Sequence, residues 1–154
     1  MNSTMMVRVG LLFFAGVCAV LGGVIFLWPA AFFSLSWVNM GMAYNPHLLL
    51  DYGAMNLAVA VFLGGAAASM NRAFVRTALA AYSTWSVAHF FIHLHYRGHF
   101  AAHTSAGEAN LMVAVLGLGA VLPILLLVLT FARPVSANGD DRTAEARTRR
   151  PRHR

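Results

Sequence analysis

His89 and His93 stand four residues apart in a largely apolar stretch, so on a helix their rings project from one face, one turn apart. Imidazole binds metals, ligates haem, titrates near neutrality and hydrogen-bonds in both directions, and each of these roles suits such a pair. Tyr82, Ser86 and Arg97 fall near the same stripe, at steps of three or four residues. Asp51, Asn56 and Glu108 become their partners if neighbouring helices run antiparallel. With a rise of about 1.5 Å per residue, Asp51 lies level with His93, and Asn56, about 7.5 Å further along its helix, lies level with His89. Glu108 and Asn110 open the next apolar run at the same outer level. The expected ligand-binding set is therefore Asp51, Asn56, His89, His93 and Glu108, with His89, His93 and Asp51 as the expected metal ligands.

Three kinds of chemistry suit this set. Two histidines with carboxylates could hold zinc, iron or copper. One histidine could ligate a haem, although no second in-membrane histidine stands on a facing helix to complete a bis-histidine pair. The same groups could hydrogen-bond a quinone or a lipid head group. A purely structural alternative is that Asp51 caps its helix while the histidines pair with it and with backbone carbonyls. The H-x-x-x-H pattern lacks the glutamate of H-E-x-x-H, so it carries little specificity. His95, His99 and His103 follow, giving five histidines in fifteen residues. Such a tract can bind metal on composition alone or respond to pH around 6.5. No serine-hydrolase triad pattern, P-loop, G-x-G-x-x-G or H-E-x-x-H occurs. Hydrolase, NTPase and nucleotide-dependent chemistry are unsupported, and no catalytic residue is assigned. Cys18 is the one cysteine, so neither an internal disulfide nor a Cys-based metal site can form within one chain.

The elements that must position these residues are membrane spans. The chain has 154 residues, 59% hydrophobic and 10% charged, with a mean hydropathy of +0.66. A soluble domain is about a quarter charged. Apolar runs at 9–28, 51–70, 73–95 and 109–131 are each long enough to cross a bilayer core of about 30 Å. The predicted fold is all-α: an integral membrane four-helix bundle over residues 1–133, kinked at Pro123. Arg8, Arg72, Arg76 and Arg133 flank alternate gaps between the runs, with Arg97 as the exception. Positive charge marks the cytoplasmic face, so both termini are expected inside a multi-pass plasma-membrane protein. Segments 29–50 and 96–107 are then external, and Trp28, Phe32, Phe33, Trp37 and Tyr44 mark an interface in the first of them.

The first span is expected to be a retained helix rather than a cleaved signal. Its apolar stretch exceeds the usual 7–15 residues, and Val17 is too large for a lipobox ending at Cys18. Span two is rich in Gly and Ala from Gly53 to Ala68, which predicts a central helix closely approached by its neighbours. Gly16, Gly22, Gly23, Gly117 and Gly119 offer matching surfaces. Residues 134–154 are expected to be a disordered cytoplasmic tail. Their charge enforces topology or, through Arg147, Arg149, Arg150, Arg152 and Arg154, holds anionic lipid at about 1 kcal/mol per arginine. The expected partners are the lipid bilayer and other membrane subunits or further copies of the chain. Nucleic acid is not expected, since no folded module accompanies the charge.

Tyr44, Asn45, His47, Leu48, Asp51, Gly53, Ala54, Asn56 and Leu57, followed by His89 and His93, form a pattern that resembles a family of small four-span membrane proteins common in actinobacteria. The resemblance covers residues 25 to 130. It departs at Ala88, where relatives often carry proline, and at Tyr96, where their third histidine spacing is not kept. It implies a four-span fold with a polar outer site and brings no activity with it. The architecture is also broadly similar to DoxX-like proteins, some of which associate with quinone-linked oxidation. Three roles follow: an accessory or scaffold subunit of a membrane complex, the favoured one, a metal- or haem-dependent redox protein, and a small lipid- or quinone-binding protein. Inverted repeats are not visible between the halves, which argues against an independent transporter.

Overall fold

The computed structural model describes residues 2–131, all of them in helices or the turns between helices, with no strand among them. The five tail arginines at 147, 149, 150, 152 and 154, and the tail expected to be disordered, lie outside the described residues.

Side-chain caps set where the helices begin. Asn2 accepts from the Met5 amide (2.9 Å) and opens α1, Ser3–Leu27, which stops at Trp28 before Pro29. Two short helices follow, α2 (Pro29–Phe33) and α3 (Ser36–Asn39). The aromatic segment between the first two spans is thus itself helical. The chain leaves α3 through Met40 and Gly41, both at positive φ (50° and 75°). A side chain at Gly41 would also run into the ring of His103. Asn45 accepts from the Leu48 amide and opens α4, Pro46–Ser69, with Pro46 in the first turn. This helix starts more than a turn before Asp51, so Asp51 is not its cap. Asn71 caps α5, Arg72–His95. After α6 (Arg97–His103), Ser105 accepts from the Glu108 amide while its hydroxyl donates to the Glu108 carboxylate, a side-chain cap that opens α7, Ala106–Leu129.

Three helices, α1, α4 and α7, are long and apolar enough to cross a membrane. Helix α5 equals α4 and α7 in length at 24 residues. Arg72, Arg76, Ser83, Ser86, His89, His93 and His95 dilute its apolar character. The long helices associate as two pairs, α1 along α4 and α5 along α7, joined by narrower α4–α5 and α1–α7 contacts. Helix α4 is therefore one side of a ring and does not occupy the central place expected from its small residues. Those residues work locally. Gly22 of α1 and Gly53 of α4 let the two backbones meet, since a methyl group on Gly22 would come within 2.9 Å of the Gly53 carbonyl oxygen. Gly117 sits close to the Phe90 ring, whereas Gly16, Gly23 and Gly119 meet nothing within 4 Å and match no surface.

The core has two parts. Toward the end that carries Arg72, residues Leu11, Phe14, Cys18, Leu63, Ala66, Ala67, Ala78 and Leu79 form one buried cluster. At the other end Met40, Phe100, Ala109 and Met112 join α3, α6 and α7 in a second. Small side chains on α4 and α5 allow a close contact in the first region. Beyond it, the larger rings of Tyr52, Trp85 and His89 occupy the space where the two helices face each other. Helices α4 and α7 make no extended contact with each other. The half away from Arg72 is left partly unfilled.

Candidate functional site

Helix α5 carries a row of rings at near-helical spacing. Tyr82 and Trp85 lie 5.7 Å apart between centroids, and Trp85 stacks on His89 at 4.9 Å with the planes only 12° from parallel. His93 meets His89 edge-on at 4.5 Å. Tyr52 of α4 lies against both Trp85 (6.5 Å) and His89 (6.4 Å). Side chains at i, i+4 and i+8 share a helix face, which is why Trp85, His89 and His93 line up. Two other members of the expected stripe are turned to structural work. The Ser86 hydroxyl donates to the Tyr82 carbonyl (2.8 Å), and Arg97, on α6, donates through Nε (2.8 Å) and Nη2 to Asn110 Oδ1.

This row ends in a cleft of about 640 Å³, open at one side and mostly apolar in its walls. Phe32, Phe33 and Trp37 from α2 and α3 cover it, Leu49, Tyr52 and Met55 supply the α4 wall, and Met112, Val115 and Leu116 supply the α7 wall. Polar groups are few: His89, His93, Asp51, Asn39 and Asn45, with the polar ends of Tyr52 and Trp37. Asn39 is held in its own turn, with Nδ2 donating to the Phe33 carbonyl and Oδ1 accepting from the Gly41 amide. Asn45 is engaged as the α4 cap. The rings of His89 and His93 both border the cleft. His93 Nδ1 is itself buried and has no hydrogen-bond partner among the described residues, an uncommon state for a polar atom.

Of the expected set, Asp51, His89 and His93 line this one cleft, while Asn56 and Glu108 do not. Asn56 is 2% exposed and turns its amide back onto the Tyr52 carbonyl (2.8 Å), satisfying itself within its own helix. The register is also shifted from the expected one, because Tyr52 rather than Asn56 lies level with His89. Glu108 is drawn to Ser105, whose hydroxyl donates to its carboxylate. Asp51 stands on the rim, exposed, with His47 one turn before it at 3.6 Å. Among the described residues no group of three or more His, Cys, Asp or Glu side chains converges as a metal site, so His89, His93 and Asp51 are not assembled as ligands. His99 and His103 form a separate pair on α6, with ring centroids 4.4 Å apart.

Tyr52 and Trp85 were not among the residues singled out from sequence. Trp85 precedes His89 by the same four residues that separate His89 from His93, and that spacing was the available signal. A second cavity of about 250 Å³ lies at the opposite end of the molecule, between the start of α1, the end of α4, the start of α5 and the end of α7. There Arg76 ties α5 to the end of α7, donating to Thr130 Oγ1 (3.2 Å) and to its carbonyl (2.9 Å).

In comparisons with known proteins, no family model, no curated protein and no solved structure matches the chain. The functional reading therefore rests on the chemistry of the cleft itself.

Proposed function

We propose that this is a four-span membrane protein, with α1, α4, α5 and α7 crossing and both ends cytoplasmic, whose outer cleft binds a lipid-like small molecule. The observation that carries the proposal is the cleft of about 640 Å³ whose mostly apolar walls include the paired rings of His89 and His93. Binding sites for small molecules are typically about 300–1,000 Å³, apolar in lining, with a few placed polar groups, and they favour gaps between helices of bundles. An amphiphile suits this arrangement: its apolar body lies against Leu49, Met55 and Val115 while its head reaches the histidines. The positive charge of Arg8, Arg72 and Arg76 at the opposite end supports placing the cleft on the external side.

The test is purification in mild detergent followed by extraction and mass spectrometry of whatever the protein retains, beside a Met55→Trp variant that fills the cleft. A near-stoichiometric lipid-like molecule lost in the variant is the expected result. Stoichiometric metal or a haem band that vanishes in a His89→Ala, His93→Ala double variant would overturn it in favour of redox chemistry.

Gly16 and Gly23 favour a second role, as an accessory subunit or scaffold. They stand two turns apart on α1, and neither meets a neighbour within 4 Å. Small residues facing outward allow another helix to approach closely in lipid. Cross-linking of cysteines placed at these two positions, with capture of a second copy or another subunit, tests that role.

A further inference from the structure

We propose that the occupant of the cleft is an uncharged lipid whose head presents a hydroxyl or carbonyl oxygen. This deepens the ligand-binding proposal above and depends on it.

Charge is the first reason. Among the described residues, the cleft lining holds one carboxylate, Asp51, and no arginine, and the chain contains no lysine. Arg97, the arginine nearest this end, is committed to Asn110 through two of its donors. Arg72 and Arg76 bind Thr130 at the far end. An anionic head such as a phosphate would therefore enter a site with no fixed cation and with Asp51 at its mouth, where like charges repel. A cationic head fares no better inside, because Asp51 is on the exposed rim beside His47 and no carboxylate lines the deeper wall. A charge moved into apolar surroundings without a partner is strongly unfavourable, so the walls select for a neutral molecule.

The second reason is the imidazole pair in the cleft wall. His89 and His93 both line the cleft, with their rings in edge-on contact beside Trp85. A hydroxyl can pair with either tautomer of an imidazole, donating to the bare nitrogen or accepting from N–H, and a carbonyl pairs with the N–H. An uncharged head with one such oxygen pairs with this wall without bringing a charge past Leu49 and Met55.

The experiment uses the full chain in lipid nanodiscs and a matched pair of photoreactive probes, a diacylglycerol and a phosphatidic acid with the same acyl chains. Diacylglycerol is expected to label the cleft about tenfold more strongly, equivalent to about 1.4 kcal/mol. Phosphatidic acid labelling should rise in Asp51→Arg, an exposed position where folding is safe. His93→Phe should lower diacylglycerol labelling several-fold while preserving the ring stack. Equal or stronger labelling of the cleft by phosphatidic acid in the unaltered protein would overturn the choice of a neutral ligand and leave the cleft a lipid site. Labelling of both probes that persists undiminished in both Met55→Trp and Val115→Trp would overturn the cleft itself as the binding site.

Discussion

His93 places a ring nitrogen, Nδ1, where nothing among the described residues answers it. Leaving a buried polar atom unpaired costs about 1–3 kcal/mol, and that cost disappears if the atom is removed and the ring kept. His93→Phe should accordingly raise the unfolding midpoint of ligand-free protein, by an increment on the order of 1 kcal/mol, and weaken ligand binding at the same time. Thermal unfolding of delipidated and lipid-loaded samples measures both signs. A variant destabilised in both states would show that Nδ1 has a protein partner after all. Asn56 makes the opposite point. Both residues are polar in an apolar environment, but Asn56 returns its amide to the carbonyl one turn earlier, which removes it from ligand chemistry. Residue type alone does not separate these two cases, because a polar side chain in a span satisfies either itself or something else, and only its neighbours decide.

Helices are where the sequence was most legible. The apolar runs located all four long helices, because each must bury or immerse about 20 residues and the charges between them are sharp boundaries. Their starts are decided by capping, which the apolar runs do not mark: the Asn45–Pro46 pair begins α4 upstream of Asp51, and Ser105 with Glu108 begins α7. The register between α4 and α5 is set by the tight Met70–Asn71 turn, and it brings the Tyr52 ring, not Asn56, against His89. The glycines show a similar limit. Composition marks Gly22 and Gly23 equally, but one faces Gly53 and Leu57 while the other faces nothing. Gly22→Ala should loosen the α1–α4 pair by about 1–3 kcal/mol through overpacking. Gly23→Ala should be neutral or stabilising by up to about 1 kcal/mol, since alanine is the better helix former. Unfolding in detergent, read by circular dichroism, separates the two adjacent substitutions. Equal effects would mean the close α1–α4 approach is not maintained.

For the molecule as a whole, the asymmetry of size and charge is what defines a site. Small residues close one end of the α4–α5 interface, and rings occupy the other, so the cleft falls at the end away from Arg72 and Arg76. Cysteine accessibility follows from the proposed topology: with Cys18 replaced, a cysteine at Gly98 should react with an impermeant maleimide in intact cells, and one at Asn71 only after lysis. Reaction at both positions from outside would place α5 across nothing and invert the proposal. The site itself was only half visible in the sequence. His89, His93 and Asp51 declared themselves by type, but the walls from α2, α3 and α7 are ordinary apolar residues whose convergence depends on helices far apart in the chain. One further property follows from the near-parallel contact of Trp85 with His89. The indole lies against a ring that borders the cleft, so its emission is a natural reporter for the proposed occupancy. In a Trp28→Phe, Trp37→Phe background, the emission of Trp85 should change in intensity as the cleft fills, and the titration needs no added dye.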